Sequence, residues 1–165
     1  MSSPAPSPAT ELENLIQQAL AAIAVPHPEP AESETDVSMR ERFFEILPLI
    51  LANLYGKTPV AAPLFDRTTF MRVIVGMDDN DSGKLAIRTE DFIRLEGLAR
   101  QQDGAKAYFL TRPSLAVMST LTSHGTLGEV LEKVLRYYAA GVPANNLRRI
   151  TRNLGSYYIT RMARS

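Results

Sequence analysis

The sequence predicts an α+β protein that is mainly α, and three observations carry that reading. Apolar residues recur at helical spacing through most of the chain, as in Leu127, Val130, Leu131, Val134, Leu135 and Tyr138. One segment breaks that period: Lys106 to Leu110 has strand-like composition and follows the turn signal Gln102-Asp103-Gly104-Ala105. Glycine and proline then punctuate the helical stretches, with Gly56-Lys57-Thr58-Pro59 and Gly141-Val142-Pro143 each ending one.

Residues 1–37 read as an acidic tail with one short helix. Proline recurs through the first ten residues and nothing apolar repeats, so no regular element is expected there. Thr10 with Glu11 and Glu13 forms a capping-box pattern, and Leu12, Leu15, Ile16, Leu20 and Ile23 follow at helical spacing, which predicts a helix at 11–24. Three prolines and four acids between Val25 and Val37 read as a linker. The helix is then a strap across the main domain or a partner-binding segment, and the strap is preferred because tethered helices dock on their own chain.

A main domain is expected at 38–121. Phe43, Phe44, Ile46, Leu47, Leu49, Ile50, Leu51, Leu54 and Tyr55 crowd two faces of one helix, which suits a buried central position; Pro48 inside it predicts a kink or a restart. Val60 to Leu64 reads as extended between Pro59 and Pro63. Asp66 caps a helix from Arg67 to about Met77, Asp78 to Gly83 reads as a loop, and Thr89 starts a further helix with Glu90 and Asp91 in its first turn. Phe92, Ile93, Leu95 and Leu98 supply its apolar face. Thr111 with Pro113 opens the next helix. A C-terminal helical hairpin is expected at 122–165: Thr126 caps its first helix, and the second runs from about Ala144 to Met162 with Leu147, Ile150, Leu154, Tyr157 and Tyr158 inward.

The formal charge is zero, but it is unevenly spread. Residues 1–37 carry six acids and no Lys or Arg, while residues 111–165 carry eight bases against two acids. An acidic head and a basic tail can pair with each other, or the tail can meet an anionic partner. The absence of cysteine removes disulfides, thiolate metal sites and a Cys nucleophile. The first residues lack the features of a signal peptide, and the longest apolar stretch, Ile46 to Leu54, is far short of the roughly 20 residues of a membrane helix. A cytoplasmic location without membrane association is therefore expected.

Asp78-Asp79-Asn80-Asp81-Ser82-Gly83-Lys84-Leu85 resembles an EF-hand calcium loop. Asp78, Asn80 and Ser82 stand at the first, third and fifth places, Gly83 at the sixth and Leu85 at the eighth. The twelfth place is Thr89, where a bidentate glutamate should complete the shell. The preferred reading is an acidic surface loop whose side chains bond their own backbone, with no cofactor; a calcium-responsive protein is an alternative.

A longer resemblance covers about 45–121. Thr89 to Arg100 resembles the end of a recognition-type helix entering a wing strand. Asp103-Gly104 would be the wing turn and Lys106 to Leu110 the second strand, with Leu110-Thr111-Arg112-Pro113-Ser114-Leu115 as the return into a helix. Leu54 to Val60 would link the first helix to the first short strand. The whole is similar to small bacterial winged helix-turn-helix proteins, which implies a winged-helix-like domain with a small β-wing and the capacity to contact DNA. On that resemblance Arg88, Arg94 and Arg100 would face phosphates or base edges, with Lys106 on the wing. Glu90, Asp91 and Glu96 share the segment and would oppose the same phosphates.

Arg148, Arg149 and Arg152 of the last helix form a separate candidate nucleic-acid contact, weighed against a solvated helix face that partly answers the acidic head. The apolar stripes of the C-terminal helices also leave self-association open. For catalysis the inventory is poor: His27 and His124 are the only histidines, the first in a proline-rich linker and the second in a Ser-His-Gly turn, and neither belongs to a recognisable catalytic or metal-binding pattern. The function expected is a non-catalytic adaptor acting through protein–protein contacts, within a nucleic-acid-associated assembly. The alternatives are a winged-helix DNA-binding regulator and the calcium-responsive protein.

Overall fold

The computed structural model describes residues 39–140 and 144–164, together with Glu13, Asn14 and Gln17, which are helical. The predicted Thr10 cap and nearly all of the 11–24 helix, with its linker, lie outside the described residues. The described chain is mainly helical, with two short antiparallel strand pairs.

Helix α1, Met39–Lys57, is the axis of the molecule, and Glu45 to Ala52 is buried without interruption. Pro48 lies inside this helix and does not restart it. Thr58 ends it by donating its hydroxyl to the Leu54 carbonyl. The next segment makes one β-bridge, Ala62 to Tyr108, in place of the longer extended stretch its prolines predict. Helix α2, Arg67–Val73, is capped by Asp66, whose carboxylate accepts from the Thr69 amide. It is a turn shorter than its apolar spacing predicts. Two buried arginines close its C-terminal end: Arg42 donates to the Val73 and Val75 carbonyls, each at 2.8 Å, and Arg148 to that of Arg72.

Helix α3, Asp79–Leu95, corrects two expectations at once. The segment Asp78 to Gly83 is not a loop, and Thr89 is not a helix start. Asp78 is the cap, its carboxylate accepting from the Asp81 amide at 2.7 Å, and Asp79 and Asp81 occupy the first turn, where the helix dipole favours acids. Leu85, Thr89 and Ile93 then fall four apart and are all buried, so the core draws one continuous helix through the site that resembles a boundary. Gly97, at φ +68°, ends the turn after α3, which is why the helix does not reach Arg100.

Strands β1, Ala99–Gln101, and β2, Tyr108–Leu110, pair antiparallel in the register Ala99–Leu110, Arg100–Phe109 and Gln101–Tyr108. The turn between them contains Asp103-Gly104, as the sequence predicts. Helix α4, Arg112–Met118, follows. Strands β3, Leu121–Thr122, and β4, Gly125–Thr126, then form a tight second hairpin where the sequence signals only a turn. Helix α5, Leu127–Ala139, starts with a full capping box between Thr126 and Glu129, and helix α6, Ala144–Ala163, completes the fold.

Helices α5 and α6 both lie along α1, and residues on either side of position 122 feed one hydrophobic core. The apolar stripes of α5 and α6, which the sequence offers for self-association, are largely consumed inside the chain: Leu131, Val134, Tyr138, Leu147, Leu154 and Tyr158 are buried.

Candidate binding surfaces

The exposed side of α3 follows from its phase. With Leu85, Thr89 and Ile93 turned to the core, Lys84, Ile87, Arg88, Asp91, Arg94 and Leu95 fall on the opposite face. Ile87 is 64% exposed and Leu95 83%, high values for large aliphatic side chains two turns apart on one helix. Leu95, expected inward from its spacing, lies outside the arc that Leu85, Thr89 and Ile93 define. Arg94 is tied to Asp91 at 2.7 Å in an exposed i,i+3 pair, and that hydrogen bond, more than the charge itself, holds the guanidinium pKa up. Glu90 is drawn the other way: the Tyr108 hydroxyl of β2 donates to it at 2.7 Å. Burial, with that bond second, pushes the Tyr108 phenol up to about 12. Of the three acids expected to oppose phosphates, one is thus bound to the hairpin and one to Arg94, while Glu96 stands exposed at the end of α3.

Next to this face, α1 and α3 flank an apolar groove of about 410 Å3 lined by Met39, Phe43, Leu85 and Phe92, with Arg40 and Arg88 also in its lining. The rings of Phe43 and Phe92 meet edge to face at 5.0 Å.

The candidate cations separate into groups. Arg88 and Arg94 are exposed on α3, Arg100 is exposed on β1, and Lys106 is exposed in the turn before β2. The α6 arginines are not one surface. Arg148 is a core residue: its side chain is 6% exposed and its Nε lies 3.3 Å from both carboxylate oxygens of Glu45 in α1. It is therefore withdrawn from any phosphate contact, because Glu45 at the centre of the helix packing has to be answered by a cation. Tyr138 of α5 also donates to Glu45, at 2.9 Å. Burial nonetheless dominates and raises the Glu45 carboxyl above its usual range, with Arg148 and Tyr138 offsetting part of the shift. Arg149 is exposed, and Arg152 is half-buried and paired with Glu41 at 3.0 Å.

Arg149 and Arg152 line a second cleft, of about 650 Å3, between α1 and α6, with Arg40, Glu41, Phe44, Asn153 and Ser156. The Arg40 guanidinium lies over the Phe44 ring at 5.9 Å from its centre. Neither Arg40 nor Phe44 stands out in the sequence as a surface feature. Apolar spacing assigns Phe44 to the core, and only the docking of α6 beside α1 places it in a cleft wall.

The EF-hand-like residues do not assemble a calcium loop. Asp78 caps α3, whereas Asn80 and Ser82 are in its first turn, where Ser82 donates back to the Asp79 carbonyl. A helical rise through these positions replaces the wrap that would turn their oxygens toward one ion. Among the described residues no group of three or more His, Cys, Asp or Glu side chains is placed to hold a metal. His124 sits in the turn of the β3–β4 hairpin beside Ser123. No helix among the described residues is long and apolar enough to cross a membrane.

Comparison with protein-family models, with curated proteins and with solved structures returned no match.

Proposed function

We propose that the chain is a non-catalytic binding module that docks a protein partner on the exposed face of α3. The observation that carries this reading is the pairing of Ile87 and Leu95, both well exposed, with Lys84 and Arg88 on one helical face. Exposed aliphatics beside an apolar groove favour a protein interface, where they would be covered, over a nucleic-acid groove, where polar edges and phosphates await donors. The cations beside them favour a partner whose apolar contact is flanked by acids.

A winged-helix relationship is part of the same proposal. What supports it is the element order, helix, short bridge, two helices and hairpin, with the Ala62 segment pairing to the second hairpin strand at Tyr108. DNA binding is the second reading, favoured by the exposed Arg88, Arg100 and Lys106 on α3 and the hairpin.

Two experiments separate the readings. Ile87→Asp combined with Leu95→Asp should leave the fold intact, because both side chains stand in solvent, yet abolish nuclease-resistant capture of a partner from native extract. A gel shift on duplex DNA should show no steep salt dependence. Tight duplex binding that weakens steeply with salt and is lost in Arg100→Ala/Lys106→Ala would replace the protein-docking reading with the DNA one.

A further inference from the structure

We propose that the cleft between α1 and α6 is a binding site for a small phosphate-bearing molecule. Its lining is built at helical spacing from two elements. Arg149, Arg152, Asn153 and Ser156 face it from α6, and Arg40, Glu41 and Phe44 from α1. The residues from 149 to 156 cover roughly 10 Å of helix at about 1.5 Å per residue. The donors thus follow one another along the cleft wall.

The charges in the lining are unequal. Three arginines stand against the single carboxylate of Glu41, and Arg152 holds that carboxylate at 3.0 Å. The excess matches a phosphate monoester, which carries about −1.5 to −2 near neutral pH. Arg149 is exposed and has no ion-pair partner among the described residues, so its fork of donors is ready for a ligand. The Arg40 guanidinium lies over the Phe44 ring at 5.9 Å from its centre, a cation–π contact that uses none of its N–H donors on a carboxylate. Asn153 and Ser156 add neutral donors. Guanidinium forks with an amide and a hydroxyl supply more donors than one carboxylate can accept, and they suit the three terminal oxygens of a phosphate.

Volume indicates that the phosphate has a body attached. A cleft of about 650 Å3 is far larger than one phosphate and falls in the range of about 300–1,000 Å3 that small-molecule sites occupy. A ligand of nucleotide size is the class inferred, its phosphate between Arg40 and Arg149 and its polar body against Asn153 and Ser156. Arg40 of α1 lines both this cleft and the groove beside α3, but Ile87 and Leu95 take no part in the cleft, so the proposal stands or falls separately from the α3 face.

The test is titration of the full chain, followed by backbone amide NMR, with three probes: adenosine monophosphate, inorganic phosphate and a short DNA duplex. Adenosine monophosphate should shift the amides of Arg40, Phe44, Arg149, Asn153 and Ser156, and Arg149→Ala should weaken it at least tenfold with unchanged melting temperature. Inorganic phosphate shifting the same amides as strongly would support the anion site and assign its ligand as free phosphate. Saturable shifts at these amides with the duplex alone would overturn the proposal in favour of a nucleic-acid surface. No shift by either small probe at millimolar concentration, or equal affinity in Arg149→Ala, would also overturn it.

Discussion

Gly155 of α6 rests in a notch made by Pro48 of α1. A Cβ at position 155 would stand 2.5 Å from the Phe44 carbonyl oxygen and 3.1 Å from the Pro48 Cδ. The two residues explain each other. Proline has no amide proton to give the carbonyl four residues back, which is that of Phe44, and glycine lets the neighbouring helix come close at that same carbonyl. The buried proline of the central helix is therefore part of the α1–α6 interface.

This fixes the sign of a substitution that would ordinarily help. Alanine for glycine inside a helix gains about 0.5–1 kcal/mol. A Cβ added at Gly83 of α3 would meet nothing within 4 Å among the described residues, so Gly83→Ala should raise the urea midpoint. Gly155→Ala should lower it, by about 1–3 kcal/mol of stability, since backbone oxygen cannot swing away as a side chain can. Opposite shifts of the two variants in parallel urea melts are the expected result.

How far the sequence reveals this fold depends on whether a signal is local. Thr126 reads as a helix cap and is one, because the Glu129 amide that it accepts from lies within a turn of it. Thr89 with Glu90 looks the same and is a core position in mid-helix, because it lies on the stripe that Leu85 and Ile93 bury. A helix started at Thr89 omits Ile87 and gives Leu95 the wrong phase, which puts the exposed α3 stripe out of reach of the sequence. Arg148 is unreadable for another reason: its partner Glu45 is 103 residues away, and nothing in a basic run says which arginine will be taken inward.

The Glu45–Arg148 pair should show strong coupling. Glu45→Gln removes the counter-charge of a buried guanidinium and should cost about 3–5 kcal/mol. Glu45→Leu with Arg148→Met should cost less than either single change, because no charge from the pair is then left in the core. The pH dependence has a definite sign. Burial raises the Glu45 carboxyl, so between its ordinary value of 4.5 and its raised value the folded chain binds more protons than the unfolded one. Stability should fall as pH rises through that window and level off above it, and the double variant should lose this component. Denaturant melts between pH 4 and 8 measure both effects.

Tyr158 of α6 and Ser114 of α4 hydrogen-bond through their hydroxyls, and both residues are fully buried. Tyr158→Phe should cost about 1–3 kcal/mol by leaving the Ser114 hydroxyl without this bond, and adding Ser114→Ala should recover part of that loss. Burial pushes the Tyr158 phenol up to about 12, the Ser114 bond offsetting a little. The neutral phenol is thus favoured in the folded chain, and stability should drop as pH climbs from 10 through about 12. In an absorbance titration, Tyr158→Phe should lose phenolate signal from this late range, in which Tyr108 also titrates.

The contact from the N-terminal segment bears on how that segment is held. The Glu13 carboxylate accepts from the backbone amide of Ser123 at 2.6 Å and from its hydroxyl at the tip of the β3–β4 hairpin. The acidic head therefore meets the main body here through hydrogen bonds to one turn residue. These two bonds, the hydroxyl's first, lower the Glu13 carboxyl below its ordinary 4.5, with His124 adding a smaller electrostatic pull. A lowered carboxyl stabilises docking above the ordinary value and loses that contribution as pH falls through the depressed one. The Ser123 amide resonance should accordingly titrate with a midpoint under 4.5 in the wild type. Glu13→Gln should abolish that titration, and Ser123→Ala should move its midpoint upward by deleting the larger of the two bonds. Replacing Arg149 and Arg152 with Ala should leave it in place. A Ser123 amide that titrates identically in wild type and Glu13→Gln would show that the segment is held by some other contact.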